Sequence, residues 1–295
     1  MRQLIKLILL CLMVSPPLYS ADYRFVRIDV PKAIYSDARG INARGDIVGS
    51  YLDVDDISHG FLLRNGTFWS IDVPNAEITR AARGINARGD IVGSFIGADF
   101  FGHGYLLIDG QFTQIDFPGA SDSFLLGINN AGDLAGTYFD AMGNTGGYIF
   151  KDGEFQNVNV PGSLTTFVNF AQDNGHVLVG QATMPPDGGF HGFVIYKPGD
   201  FDMIDFPGLS VPCTGARWIN QRGDIVGGFA FAASVEDCPS APHHGFILRD
   251  GQYTQIDFPG SIWTRALAIN DDGVIVGEFT DKKGNGHGFK AMPED

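Results

Sequence analysis

The stretch ARGINARGDIVGS stands at residues 38–50 and again, letter for letter, at 82–94. Looser copies follow at 126–137 (LGINNAGDLAGT), 217–228 (RWINQRGDIVGG) and 267–278 (LAINDDGVIVGE), with a degenerate one at 171–180 (AQDNGHVLVG). Self-similarity at a period of about 43–52 residues marks a repeat architecture, in which each unit buries its apolar face against its neighbours.

Read outward from the first copy, the unit resolves into four short strands. Strand a covers 39–42, b covers 46–52, c covers 60–64 and d covers 67–73. Asn65-Gly66 joins c to d as a two-residue hairpin turn, where both positions take positive φ. Pro74 ends d by removing a ladder donor. Strand c recurs with a leading His-Gly at 103, 191, 244 and 287, and strand d recurs as IDxP-like segments ending at Pro118, Pro161, Pro207 and Pro259. No stretch of useful length has helical periodicity, and the 40 Gly and 15 Pro suit tight turns.

Four strands in about 43 residues, repeated, are the signature of a β-propeller blade. Six a–b–c sets begin at Arg39, Arg83, Leu126, Val168, Arg217 and Leu267. Only five d strands follow a c strand; the sixth, FVRIDVP at 25–31, stands at the front. The sequence therefore predicts an all-β, six-bladed β-propeller of four-stranded blades, its ring closed by the N-terminal strand completing the last blade. An open solenoid would leave an unpaired edge at each end. Counted from strand d, the repeat units lie near 25–67, 68–111, 112–154, 155–200, 201–252 and 253–295, one domain over 21–295.

IDVP, GINARGDIVG and HGFLL recurring in that order resemble the HAF-type extracellular repeat family of bacteria, over essentially all of 25–292. The resemblance implies export and repeats, and no established activity or catalytic residue. Two departures stand out: Asn159 replaces the IDxP aspartate of the fourth unit, and Gly146 replaces the His of the third.

Residues 1–20 read as a secretory signal peptide. Arg2 and Lys6 precede an apolar run at 7–14 too short to span a bilayer, and Ser20 offers a cleavage point. Losing those two positive charges takes the net charge from −14 to −16. That excludes nucleic acid and anionic membrane surfaces as partners, and no later stretch has the roughly 18 apolar residues of a membrane-spanning helix. Cys213 and Cys238 remain as an even pair and are expected to form a disulfide, since both lie at one face of the fifth blade.

Residues present in every blade are read as structural. Asp29, Asp72, Asp116, Asp205 and Asp257 are expected to take backbone hydrogen bonds in the turn after strand d. Gly49 and its equivalents allow close backbone approach. The histidines before strand c are too far apart on neighbouring blades to share a metal and are expected to bond within their own blade. The acidic run Asp53–Asp56 lacks the spacing of a calcium loop. No nucleophile, zinc or phosphate-loop motif is present, and no cofactor is expected.

What varies between blades is where function is sought: the d-to-a and b-to-c loops on one face. Their aromatics are Tyr35, Phe100, Phe101, Phe124 and Trp263; their acids Asp37, Glu77 and Asp122. Arg39, Arg83 and Arg217 hold one equivalent position on the innermost strand, with Arg80 and Arg265 nearby. Guanidiniums facing a central opening form a candidate anion site, against the alternative that each pairs with a carboxylate such as Asp37 or Glu77. The favoured reading is an exported, non-catalytic binding or scaffold propeller that presents these loops to a carbohydrate, small anion or protein partner. The alternative is a secreted hydrolase or lyase with its site at the central opening.

Overall fold

The computed structural model describes residues 18–19, 23–197 and 199–294. The expected signal peptide therefore lies outside the described residues except at Leu18–Tyr19, a short strand set parallel to Gln252–Ile256.

Six blades of four antiparallel strands follow one another around the ring, each running a–b–c–d from the axis outward, and Leu18–Tyr19 adds a fifth, parallel strand to the outer edge of blade 5. Blade 1 comprises Tyr35–Ile41, Ile47–Leu52, Ser58–Arg64 and Thr67–Ile71. Blade 2 opens with Ile78–Ile85, blade 3 with Asp122–Ile128, blade 4 with Thr165–Ala171, blade 5 with Thr214–Ile219 and blade 6 with Trp263–Ile269. The outer strand of blade 6 is the N-terminal Tyr23–Ile28, paired antiparallel with Gly286–Pro293 so that Phe25 faces Ala291. Blade 6 packs on blade 1, and the ring is closed by the strand that the repeat count left over at the front.

The repeated letters explain the packing. A Cβ on Gly49 would collide with the carbonyl oxygen of Asp37 on strand a, and Gly93, Gly136, Gly180, Gly227 and Gly277 are held the same way. Over each glycine lies the aromatic ring of strand c: Phe61, Tyr105, Tyr148, Phe193, Phe246 and Phe289, all fully buried. Glycine leaves room for the ring, and each ring's burial stabilises the blade by about 1.5–3 kcal/mol. The variable residue of IDxP knits blade to blade: Phe206 stacks on Phe229 at 3.6 Å and Phe258 on Phe279 at 3.7 Å. Asn65 (φ 51°) and Gly66 (φ 76°) form the expected turn.

Each histidine before strand c bonds through Nδ1 to the IDxP aspartate of its own blade: His59 to Asp72, His103 to Asp116, His191 to Asp205 and His244 to Asp257, at 2.7–2.8 Å. His287 reaches Asp29 at 2.9 Å across the ring closure. The aspartates were expected to bond into the following turn. The second oxygen of Asp116 and Asp257 instead accepts the strand-c amide of Gly104 and Gly245, that of Asp72 accepts the Ser70 hydroxyl and that of Asp29 pairs with Arg27. The turn is closed by Ser36, Thr79 or their counterparts, which accept an amide from the residue before the proline. The two departures noted in the sequence fall in one blade. Gly146 and Asn159 both belong to blade 3, so histidine and aspartate are lost together. Tyr138 occupies the vacated space and its hydroxyl accepts from Asn157 at 3.1 Å.

Strand a begins earlier than the sequence suggested, at Tyr35 rather than Arg39. Residues assigned to the d-to-a loop are paired strand as far as Tyr35–Leu52. Their lack of apolar alternation reflects a polar channel on one side, not a loop.

Candidate functional site

Every inner strand carries a β-bulge at the same height, where the register slips across Ala38/Gly40, Ala82/Gly84, Leu125/Gly127, Val168/Phe170, Ala216/Trp218 and Ala266/Ala268. A bulge re-aims the extra side chain. Here the six bulged residues, Arg39, Arg83, Leu126, Asn169, Arg217 and Leu267, line one axial cavity of about 240 Å³, completed by Trp218, Arg265 and Glu278. The three arginines singled out in the sequence are thus brought together. The blade 4 member is Asn169, whose Nδ2 donates to Ala216 O at 2.8 Å.

The two ends of this channel differ. At the a–b turns, Asn42 donates to Asn86 O (3.1 Å), Asn129 to Gln172 O (2.9 Å) and Gln172 to Asn220 O (2.6 Å). Asn220 donates to Asn270 O (3.2 Å), and Asn270 returns to Asn42 O (3.3 Å). In the same turns Asn42 Oδ1 accepts the amides of Arg44 and Asp46, pinning the start of strand b. Five of the six blade junctions are bridged this way, Asn86 donates instead to Asp90 of its own blade (2.8 Å), and none of these side-chain amides is left buried without a partner among the described residues.

The loop-face end is not satisfied. Arg39 is paired with Asp37, which is fully buried and also accepts the Ser50 amide (2.8 Å) and hydroxyl (2.9 Å). Arg265 lies 3.5 Å from Glu278, and its guanidinium sits 4.3 Å over the Trp263 ring. Tyr35 donates its hydroxyl to Glu278 at 2.6 Å. Burial would raise Glu278, but Arg265 and Arg39 hold its carboxyl below the usual range. Among the described residues Arg83 and Arg217 make no ion pair, and the Nε of each is buried without a hydrogen-bond partner. Burial, with Arg39 beside one and Arg265 beside the other, pushes both down to about 9. An arginine does not surrender its proton in a protein interior, so that cost persists as an unmet demand for an anion. Pairing with a nearby carboxylate thus holds for Arg39 alone; Glu77 is exposed and takes no part.

The other loop candidates do not converge. Asp122 accepts the Gly102 amide at 2.8 Å. Tyr35 is bound into the acid–arginine network, Phe124 lies under Arg80 (5.7 Å), and only Phe100 and Phe101 are openly exposed. Cys213 and Cys238 form a disulfide, Cα–Cα 5.7 Å. Beside it lies a groove of about 230 Å³ that shares the Arg217 and Arg265 walls with the axial cavity. The sequence reading missed this groove. Its signals were the doubled histidine at 243–244 and Gly228, where other copies carry Ser, Thr, Gln or Glu.

No family model matches the chain and no curated protein matches it, so the HAF-type resemblance rests on the repeated signatures alone. Solved structures do match. A gluconolactonase from Xanthomonas campestris covers 95% of this chain and 97% of its own at 12% identity, TM-score 0.53. The six-bladed fungal lectin of Aleuria aurantia, described with a fucose recognition mode, covers 94% and 98% at 10% identity, TM-score 0.51. An AofleA variant from Arthrobotrys oligospora covers 90% and 86% at 13% identity, TM-score 0.54. At such identities the likeness establishes the six-bladed β-propeller and nothing finer.

Proposed function

We propose that this protein is an exported binding propeller whose axial cavity takes a small anion or the acidic group of a carbohydrate. The observation that carries the reading is the pair of part-buried arginines, Arg83 and Arg217, whose Nε atoms are buried and which have no carboxylate partner among the described residues, in a protein of net charge −14. Guanidiniums fixed by a bulged backbone are pre-organised for a carboxylate or sulfate and lose little entropy on binding. Export is supported by the disulfide and by the signal-peptide pattern at 1–20. A sugar-derived ligand agrees with two of the folds it resembles, one a lectin with fucose recognition and one a gluconolactonase. The hydrolase alternative is less well supported. Asp37 and Glu278, the carboxylates nearest the arginines, are both engaged by arginine and by Tyr35, and Glu278 is held ionised rather than poised as an acid.

The test is calorimetry with sulfate, acetate and glucuronate on the parent and on Arg83→Leu. The parent should bind at least one of them. The variant should lose about tenfold or more, because charge-assisted hydrogen bonds are worth about 1.5–3 kcal/mol. Absence of binding by the parent, or binding that survives the substitution unchanged, returns the arginines to structure.

A further inference from the structure

Blade 5 leaves a gap in the channel wall. Above the bulge, one residue of strand a faces one of strand b, and in five blades the pair carries side chains. These pairs are Asp37–Ser50, Ala81–Ser94, Phe124–Thr137, Phe167–Gln181 and Arg265–Glu278. In blade 5 the pair is Gly215–Gly228. A Cβ on Gly215 would lie 2.7 Å from Gln181 Oε1, and one on Gly228 2.9 Å from Arg265 Cγ. The two glycines therefore let the neighbouring blades' side chains lean in as the sides of a groove.

The groove is graded in polarity. Its axial end is Arg217 and Arg265; its sides offer the Gln181 amide; its outer end is His243 beside Phe190, Pro239 and the disulfide. Burial and the neighbouring Arg265 charge push His243 down to about 4, so it is neutral near pH 7. His243 Nδ1 lies 2.9 Å from Ala241 O, which can only accept, so the neutral ring carries its proton on Nδ1, with Trp263 Nε1 at 3.1 Å from the same atom, and Nε2 is an acceptor for a hydroxyl. Neither space alone, at about 230 and 240 Å³, reaches the roughly 300–1,000 Å³ of a small-molecule site, so a ligand of that size would span both past the shared Arg217 and Arg265 side chains.

We propose that the blade 5 groove is a second subsite that holds the neutral ring of an acidic sugar, while the sugar's carboxylate lies among the axial arginines. This rests on the anion reading of the axial cavity. A charged end, neutral hydrogen-bonding groups and an apolar wall, in that order, match a hexuronate better than an inorganic anion, which would leave the groove empty, or a neutral hexose, which would leave the arginines unpaired.

Calorimetry with acetate, glucuronate and glucose on the parent, Gly215→Val and His243→Ala separates the two readings. Glucuronate should bind the parent about tenfold more tightly than acetate, the worth of one or two added hydrogen bonds, and glucose should not bind measurably. The Cβ added by Gly215→Val meets the end of the Gln181 side chain at 2.7 Å and stands in ordinary contact, 3.8 Å, with Arg217 Nε and Nη2. The substitution should abolish the glucuronate advantage while leaving acetate unchanged. His243→Ala, at the first residue of its strand, adds no bulk to the sheet, should cut that advantage about threefold and stands in if the valine variant fails to fold. Acetate binding with no glucuronate advantage in the parent overturns the groove and spares the axial site. Retention of the full advantage in both variants does the same. No anion binding at all overturns both.

Discussion

The two mouths of the central channel are built from the same six strands and obey opposite rules. At the a–b turns five blades present Asn and the sixth Gln, and inter-blade donation runs from Asn270 back to Asn42. At the loop face the equivalent bulged position holds Arg, Arg, Leu, Asn, Arg and Leu, and two of its guanidiniums have no ion-pair partner. A group repeated in every blade meets its own copy in the next, and a ring of identical donors and acceptors can satisfy itself. A mixed ring cannot, and what it leaves unsatisfied is available to a ligand.

The largest expected effect breaks the frame common to both mouths. Deleting residues 21–31 removes Tyr23–Ile28 and the Asp29 partner of His287, exposing the Gly286–Pro293 edge. The deleted protein should lose its cooperative thermal transition or aggregate. A variant that melts like the parent would show that the ring does not depend on this strand.

Next comes the satisfied mouth. Asn270 donates to Asn42 O and accepts the amides of Asp272 (3.1 Å) and Val274 (3.0 Å). Asn270→Leu orphans all three. At about 1–3 kcal/mol for a buried unpaired group, Tm should fall by roughly 4–8 °C, with anion affinity unchanged. A loss of anion binding without a drop in Tm would reverse the roles assigned to the two ends.

The same distinction explains what was legible in the sequence. The Asn of GIN, the Gly of DIVG, the HGF aromatic and the IDxP aspartate recur, so the repeat, the blade number and the closing strand could be read by counting, whereas the aspartate's partner, the strand-c histidine, could not. The site could be read only in part. Arg39, Arg83 and Arg217 stood out because they interrupt a repeated position. Arg265 was placed near them, but Glu278, the acid that pairs with it, looked like an ordinary surface residue. Gly215 and Gly228 act through missing side chains, which in a chain with 40 Gly carry little signal. Strand a's polar upper half was taken for loop because the surface it faces is a channel.

A smaller effect separates blade 3 from its neighbours. In blades 1 and 2 burial opposes protonation of His59 and His103, but Asp72 and Asp53, or Asp116 and Asp99, outweigh it and raise both histidines. A raised folded value stabilises the protein fully below the unfolded value of about 6.5, and this is lost as pH rises through the folded value. Asp53 and Asp99 are lowered, so their contribution holds above the unfolded carboxylate value and fades as acid approaches it. Tm should thus peak between about pH 4 and 6.5 and decline toward pH 8. The double variant His59→Asn, His103→Asn should flatten that decline, whereas Gly146 leaves blade 3 nothing to contribute.

The smallest change in stability is expected at Arg83, and there its sign matters more than its size. A cation whose ionisation is held down in the folded state costs that state stability at every pH below about 9, the value to which burial and Arg39 push it. Arg83→Met keeps much of the side chain's length and removes the unpaired charge. Replacing a buried charge by an apolar group of similar volume is often neutral or stabilising, so Tm should stay level or rise by a few degrees, about 1 kcal/mol or less. In the parent, a bound anion stabilises the fold by mass action, about 2.7 kcal/mol at a hundredfold excess over Kd, and the variant should lose that gain. Thermal melts with and without glucuronate read both terms at once. A variant that is more stable alone and indifferent to anion is the pattern of a residue kept for binding at a cost in stability. A variant that melts several degrees lower without anion would place Arg83 with the asparagine ring, as part of what holds the blades together.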